Sequence, residues 1–135
     1  MMDGSKYFVD TNIIIDLFRG KSEVVDFIKE NTDFSVSVIV LGELVFGAEN
    51  SSQFEKHVAQ INSFIDNCSS IVNVDLETSR IYGKIKSELK KSGKPIPEND
   101  IWIAALAIQY DRFLVTNDAH FNYIKQLTTK KIENA

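Results

Sequence analysis

The sequence predicts an α/β fold, with a parallel sheet of four or five strands covered on both faces by helices. Two observations carry that expectation. Short β-branched and aromatic runs alternate with stretches of helical period along the chain. Strands that alternate with helices imply right-handed crossovers and therefore a parallel sheet. Acidic residues fall where strand-like runs give way to helical ones, the edge at which open parallel sheets bind their ligands.

In chain order, Lys6 to Val9 reads as a buried strand, and Ile13, Ile14, Leu17 and Phe18 then recur at helical spacing, with the change of period at Asp10-Thr11-Asn12. Gly20 closes this helix, and Ser22 is positioned to cap the next, whose apolar stripe is Val24, Phe27 and Ile28. Phe34-Ser35-Val36 alternates like a strand. Ser37 can cap a helix in which Leu41, Leu44, Val45 and Ala48 form the predicted buried stripe, leaving Glu43 off it beside Ile39 and Phe46. Phe54, Val58, Ile61 and Ile65 mark a further helix, Ile71 to Val74 a third strand, and Asp75 the cap of a helix carrying Ile81, Ile85 and Leu89.

That helix stops at Ser92-Gly93, and Lys94-Pro95-Ile96-Pro97 is a rigid connector because neither proline suits a helix interior. Asn99-Asp100 opens a helix using Ile103, Ala104, Ala107 and Ile108, with Trp102 on another side. Phe113 to Val115 is the fourth strand and runs into Thr116-Asn117-Asp118; residues Ala119 to Tyr123 suit a helical turn, and Lys131-Ile132-Glu133 is the candidate fifth strand.

A length of 135 residues with 44% hydrophobic content and nine Phe suits a single domain over 1–135 with a sizeable core. The lone Cys68 excludes an internal disulfide and, with no metal-ligand spacing of Cys and His, points to a small core hydrophobe in a reducing cytoplasm. Asp10 and Asp16 interrupt the first apolar stretch, and Val36 to Phe46 is too short to span a bilayer, so the expectation is a soluble protein with no membrane partner. A formal charge of −4 argues against nucleic-acid binding by phosphate neutralisation alone, although bound cations reverse the field of clustered carboxylates.

Four acids are candidates for such a cluster: Asp10 ending the first strand, Asp118 just past the fourth, Asp100 in the first turn of a helix, and Glu43 six residues beyond Ser37, roughly 9 Å along its helix. Carboxylates brought together repel and take up protons unless a hard cation relieves them. Oxygen ligands without nearby Cys or His suit Mg²⁺ or Mn²⁺, which activate water and orient a phosphodiester. Each acid also has an ordinary role: Asp10 and Asp100 as helix caps, Asp118 as a turn residue, and Glu43 on a solvated face, although its apolar neighbours fit such a face poorly.

Taken as a set, the strand ending in Asp10-Thr11-Asn12, Gly42-Glu43-Leu44 followed by Gly47, Asn99-Asp100 with Trp102-Ile103-Ala104-Ala105, and Thr116-Asn117-Asp118 with His120-Phe121 resemble the PIN-domain nucleases, and among them the VapC-type toxins. The motif order matches over roughly Tyr7 to Glu133, with the short polar C-terminal segment fitting least well. The resemblance implies a three-layer α/β/α fold and Mg²⁺- or Mn²⁺-dependent cleavage of RNA. It also implies a homodimer neutralised by a cognate antitoxin protein. Position by position, Asp10, Glu43 and Asp100 match the core acids and Asp118 the more variable fourth. Thr11, Asn12, Asn99 and Thr116 fall beside them, where they could order ligands or waters.

Other readings compete. Asp75, following the third strand, could be the phosphoacceptor of a receiver-type module, although the first strand ends in one acid and not a pair. An aspartyl-phosphate phosphatase would want an acid at Asn12. A PIN nuclease could also process RNA with no antitoxin, and a pure binding module would usually have lost one of the acids. His57 is expected to face solvent and His120 to pack or hydrogen-bond beside the acids. The basic run Lys84, Lys86, Lys90, Lys91 and Lys94 reads better as a solvated face than as an RNA contact, and Arg19 and Arg112 are weak candidates for such contacts. The stripes Ile81/Ile85/Leu89 and Phe54/Val58/Ile61 read chiefly as core.

Overall fold

The computed structural model describes residues 6–31 and 33–132. Its sheet has five strands, β1 (Tyr7–Val9), β2 (Phe34–Ser37), β3 (Ser70–Val72), β4 (Phe113–Val115) and β5 (Thr129–Lys130), in the order β3-β2-β1-β4-β5 with every pairing parallel. Six helices connect and flank them: α1 (Thr11–Phe18), α2 (Ser22–Glu30), α3 (Val38–Glu49), α4 (Phe54–Asn67), α5 (Leu76–Ser92) and α6 (Glu98–Gln109). The central strands are short and buried on both faces, as continuous apolar runs in a parallel sheet should be; Phe8, Val9, Val36, Leu114 and Val115 are all buried. No helix among the described residues is long and apolar enough to cross a membrane.

The chain leaves β1 for β2 on one side, and β4 returns to pair with β1 on the other, with Tyr7 opposite both Phe34 and Phe113. The direction of strand order therefore changes at β1. Its carboxyl end, where Asp10 sits, is the crevice such sheets use for ligands.

Several expectations need adjustment. Lys21, not Ser22, is the N-cap of α2, because Gly20 turns the chain in the left-handed region (φ +75°) and delivers Lys21 to that position. Ser37 caps α3 as expected, accepting from Val40 N–H at 3.0 Å, but the buried face is Val40, Leu44 and Ala48, while Val45 and Phe46 are exposed. Nearly every side of α3 is apolar, so several stripes were possible and packing chose one a residue away. On α4 the buried residues are Ile61 and Phe64, and Phe54 is exposed. The third strand is Ser70–Val72, so Val74 lies beyond it and, like Ile71, is exposed. Asp75 caps α5 in a capping box with Thr78, and Gly93 ends that helix at φ +68°. The fifth strand lies at Thr129–Lys130, two residues before its expected place, since Leu114 N–H and Thr116 N–H pair with the carbonyls of Thr128 and Lys130; Glu133 lies outside the described residues. Cys68 is half-buried against the core, its thiol donating to the Ile65 carbonyl.

Candidate active site

Asp10 ends β1 and is only 4% exposed. Its backbone N–H joins the sheet by donating to Val115 of β4. One carboxylate oxygen accepts from the Thr11 backbone N–H at 2.8 Å, so Asp10 is the N-cap of α1. The other accepts from the Thr116 hydroxyl, also at 2.8 Å. Capping thus uses half of the carboxylate, and a neighbouring strand end steadies the rest.

Thr11 links the first acid to the second, because its hydroxyl donates to Glu43 Oε1 at 2.6 Å across the gap between α1 and α3. Glu43 shares an open groove of about 630 Å³ with Thr11, Ile39, Gly42, Phe46 and Asn99. Its offset from the buried stripe is what frees it to do so.

Asp100 sits in the first turn of α6, whose N-cap is Pro97, so it is not the cap that local sequence allowed. Its side chain meets His120 Nε2 at 2.6 Å, and the other ring nitrogen, Nδ1, lies 2.8 Å from Asp118 Oδ1. Nε2 is buried and off the line of an ideal hydrogen bond, which makes the first contact a close electrostatic one. Asp118 N–H donates to the Thr116 hydroxyl at 3.1 Å, tying this end of the cluster to the Asp10 end. A 3-10 turn over Ala119–Tyr123 carries His120 into place, with Phe121 buried beneath it.

The electrostatics are those of crowded acids. Burial pushes the Asp10 carboxyl up to about 6; the Thr116 hydroxyl and Thr11 N–H pull it down, and the charges of Asp100 and Glu43 raise it further. Asp100 is also raised, by burial first; His120 opposes the rise, and Glu43 and Asp118 add to it. All four predicted acids therefore meet in one network of fields. Ligand atoms of Asp100, Asp118 and His120 lie within 4.8 Å of one another, close enough to share a cation.

Of the neighbouring residues, Thr11 and Thr116 hold acids directly, whereas Asn12 and Asn99 are exposed, Asn99 lining the Glu43 groove. His57 is half-buried, not solvent-facing, and its Nδ1 lies 3.2 Å from Gln60 Oε1. Arg112 does not reach the surface as an RNA contact would: it is 6% exposed, bonds the Ser35 hydroxyl and lies over the Tyr110 ring. Lys86 is engaged with Glu98, and Lys94 lies over Tyr123. Asp75 is committed to its cap and to Gln109 Nε2 at 2.9 Å, at the end of an edge strand and away from the cluster.

Known proteins are similar to this chain in sequence and in fold. The chain is 37% identical over 115 residues to the ribonuclease VapC2 of Haemophilus influenzae, covering 84% of this chain and 86% of that protein. It is 30% identical over 115 residues to the tRNA(fMet)-specific endonuclease VapC of Shigella flexneri, with the same coverage. Its fold superposes with a TM-score of 0.88 on DNA-bound VapBC from Salmonella typhimurium at 28% identity, over 94% of this chain and 98% of that one. The PIN-domain family model matches residues 7–127, a span that contains β1, the switch point and all four acids, and the chain belongs to the PIN-domain family.

Proposed function

We propose that this protein is a metal-dependent endoribonuclease, the toxin of a toxin-antitoxin pair. The observation that carries the reading is the convergence of Asp10 and Asp118 from the ends of β1 and β4, Asp100 from the first turn of α6 and Glu43 from the middle of α3, where burial and mutual repulsion raise Asp10 and Asp100. The VapC ribonucleases among its relatives and the toxin-antitoxin complexes among its structural neighbours support the same conclusion.

Such a cluster fits a hard divalent cation, Mg²⁺ or Mn²⁺, because acceptor oxygens dominate and a cation relieves the repulsion written into their raised proton affinities. Asp10, Glu43, Asp100 and Asp118 would hold it, and when bound it supplies an activated water and neutralises charge on the phosphodiester. The chain's own part is placement. Thr116 and the Thr11 N–H fix the Asp10 carboxylate, the Thr11 hydroxyl turns Glu43 towards it, and His120 spans Asp100 and Asp118. Asn12 and Asn99 remain free to touch substrate or water.

The partner we assign is a cognate antitoxin. A largely apolar groove of about 800 Å³ between α1, α2 and α4, lined by Leu17, Phe18, Ile28, Phe34 and Phe64 and also by Lys29 and Lys56, has the size and chemistry to seat an amphipathic segment of it. A second copy of the chain would cover the exposed Val45 and Phe46 of α3, consistent with a homodimer in the cytoplasm.

Cleavage of single-stranded and structured RNA, measured with Mg²⁺, Mn²⁺ or EDTA, tests the proposal. Metal should be required, and Asp10→Asn and Asp100→Asn should each abolish cutting; cleavage that persists in EDTA or in both variants overturns it. Growth arrest on expression, relieved by a co-expressed small partner, separates a toxin from an RNA-processing nuclease.

A further inference from the structure

A second groove of about 430 Å³ runs from Glu43 between α1, α3 and α4. In a chain of net charge −4, its lining is unexpectedly basic: Arg19 at the end of α1, with Lys56 and His57 on α4. Lys21 faces Asp16, Arg80 faces Glu77 and Lys86 faces Glu98, whereas Arg19 and Lys56 line one groove with a candidate catalytic acid, Glu43. Among the described residues, Arg19 and Lys56 pair with no carboxylate, so their charge is available to a ligand.

The third member is oriented. Gln60 Nε2 donates to the Phe18 carbonyl at 3.2 Å, which leaves Gln60 Oε1 to accept from His57 Nδ1 at 3.2 Å and fastens the ring to the end of α1. Arg19 alone could be a cation complementing the α1 dipole. That role accounts for neither Lys56 nor the held imidazole across the groove, nor for the opening of the groove at a candidate catalytic acid.

Building on the ribonuclease reading, we propose that this groove holds the RNA backbone on the Glu43 side of the cut, with Arg19 and Lys56 on phosphates and His57 as a fixed hydrogen-bond partner. A polyanion strand fits because unpaired cations line a path into an otherwise acidic site, where they offset the repulsion between substrate and carboxylates. Contacts of this kind set register along the strand without reading sequence.

Fluorescence anisotropy of a labelled single-stranded RNA of mixed sequence, in Ca²⁺ buffer, tests it on the full chain. The double variant Arg19→Gln/Lys56→Gln should raise Kd roughly tenfold and lower the slope of log K against log salt by about 1.4, the loss of two single-strand phosphate contacts. Lys90→Gln/Lys91→Gln, at the far end of α5, should match wild type in both. Equal Kd and slope in the groove variant, with cleavage intact, overturns this inference and leaves the nuclease reading standing. Unchanged RNA binding with a weakened hold on a co-expressed protein partner assigns the groove to protein and also overturns it. A wild-type chain that neither binds nor cuts RNA removes both readings.

Discussion

Under the proposed function Asp10 carries two opposing demands, since it must be ionised to hold a cation and is buried where ionisation is unfavourable. Because its native proton affinity, about 6, exceeds the ordinary value of 3.8, the folded state binds protons more tightly than the unfolded one between those pH values. Stability in metal-free buffer should therefore fall as pH rises from about 4 to about 6, by at most on the order of 3 kcal/mol at about 1.4 kcal/mol per pH unit. Urea titrations of wild type and Asp10→Asn check this: the variant should be equal or more stable at pH 7, and the gap should close near pH 4. Cleavage that needs ionised Asp10 should rise through the same window. Thr116→Val, which removes the largest effect lowering that affinity, should move the midpoint upward in a pH-rate profile.

The same scale shows where sequence was informative. Asp10, Asp100 and Asp118 stood out because each adjoins a change of period, a local signal, whereas Glu43 stood out only as an acid among apolar neighbours in the middle of α3. The burial of Arg112 was not, since its partner Ser35 lies on β2 and only the fold brings them together. His120 was visible as a neighbour of Asp118, but its reach to Asp100 depends on the 3-10 turn.

At the scale of elements, helix starts do much of the positioning. Ser37 and the Val40 N–H it satisfies are fully buried, so Ser37→Ala should cost about 1 to 2 kcal/mol in urea denaturation and loosen the helix that presents Glu43. Asp75→Ala, breaking the capping box of α5, should lower the urea midpoint while leaving cleavage intact, because that cap lies beyond the edge strand β3. A covalent adduct on Asp75 after incubation with acetyl phosphate would instead favour a receiver-type module. Caps and turns were readable from sequence at Ser37, Asp75 and Gly93, where residue chemistry dictates geometry. The buried face of α3 was not, because apolar residues surround the helix and only contact with the sheet and neighbouring helices decides which are covered.

For the whole molecule, the proposed function turns repulsion within the acidic cluster into an attraction for cations. Mn²⁺ at a hundred times its Kd should stabilise the wild-type chain by about 2.7 kcal/mol, read as a rise in Tm, and Asp10→Asn should lose most of that gain. The parallel α/β architecture followed from the alternation of periods, and the strand order did not: pairing of β1 with β4 joins Tyr7 to Phe113, a separation no local pattern encodes.

That pairing bears on the protein's own synthesis. Ribosomes deliver the chain from its N-terminus, and long-range parallel pairing forms late. Until β4 emerges, β1 has no neighbour on one side, Asp10 lacks the Thr116 hydroxyl, and Asp100 lacks His120 and Asp118. A nascent chain that has not yet presented residues 113–120 accordingly lacks the assembled acidic cluster, and any activity that needs the cluster waits for them.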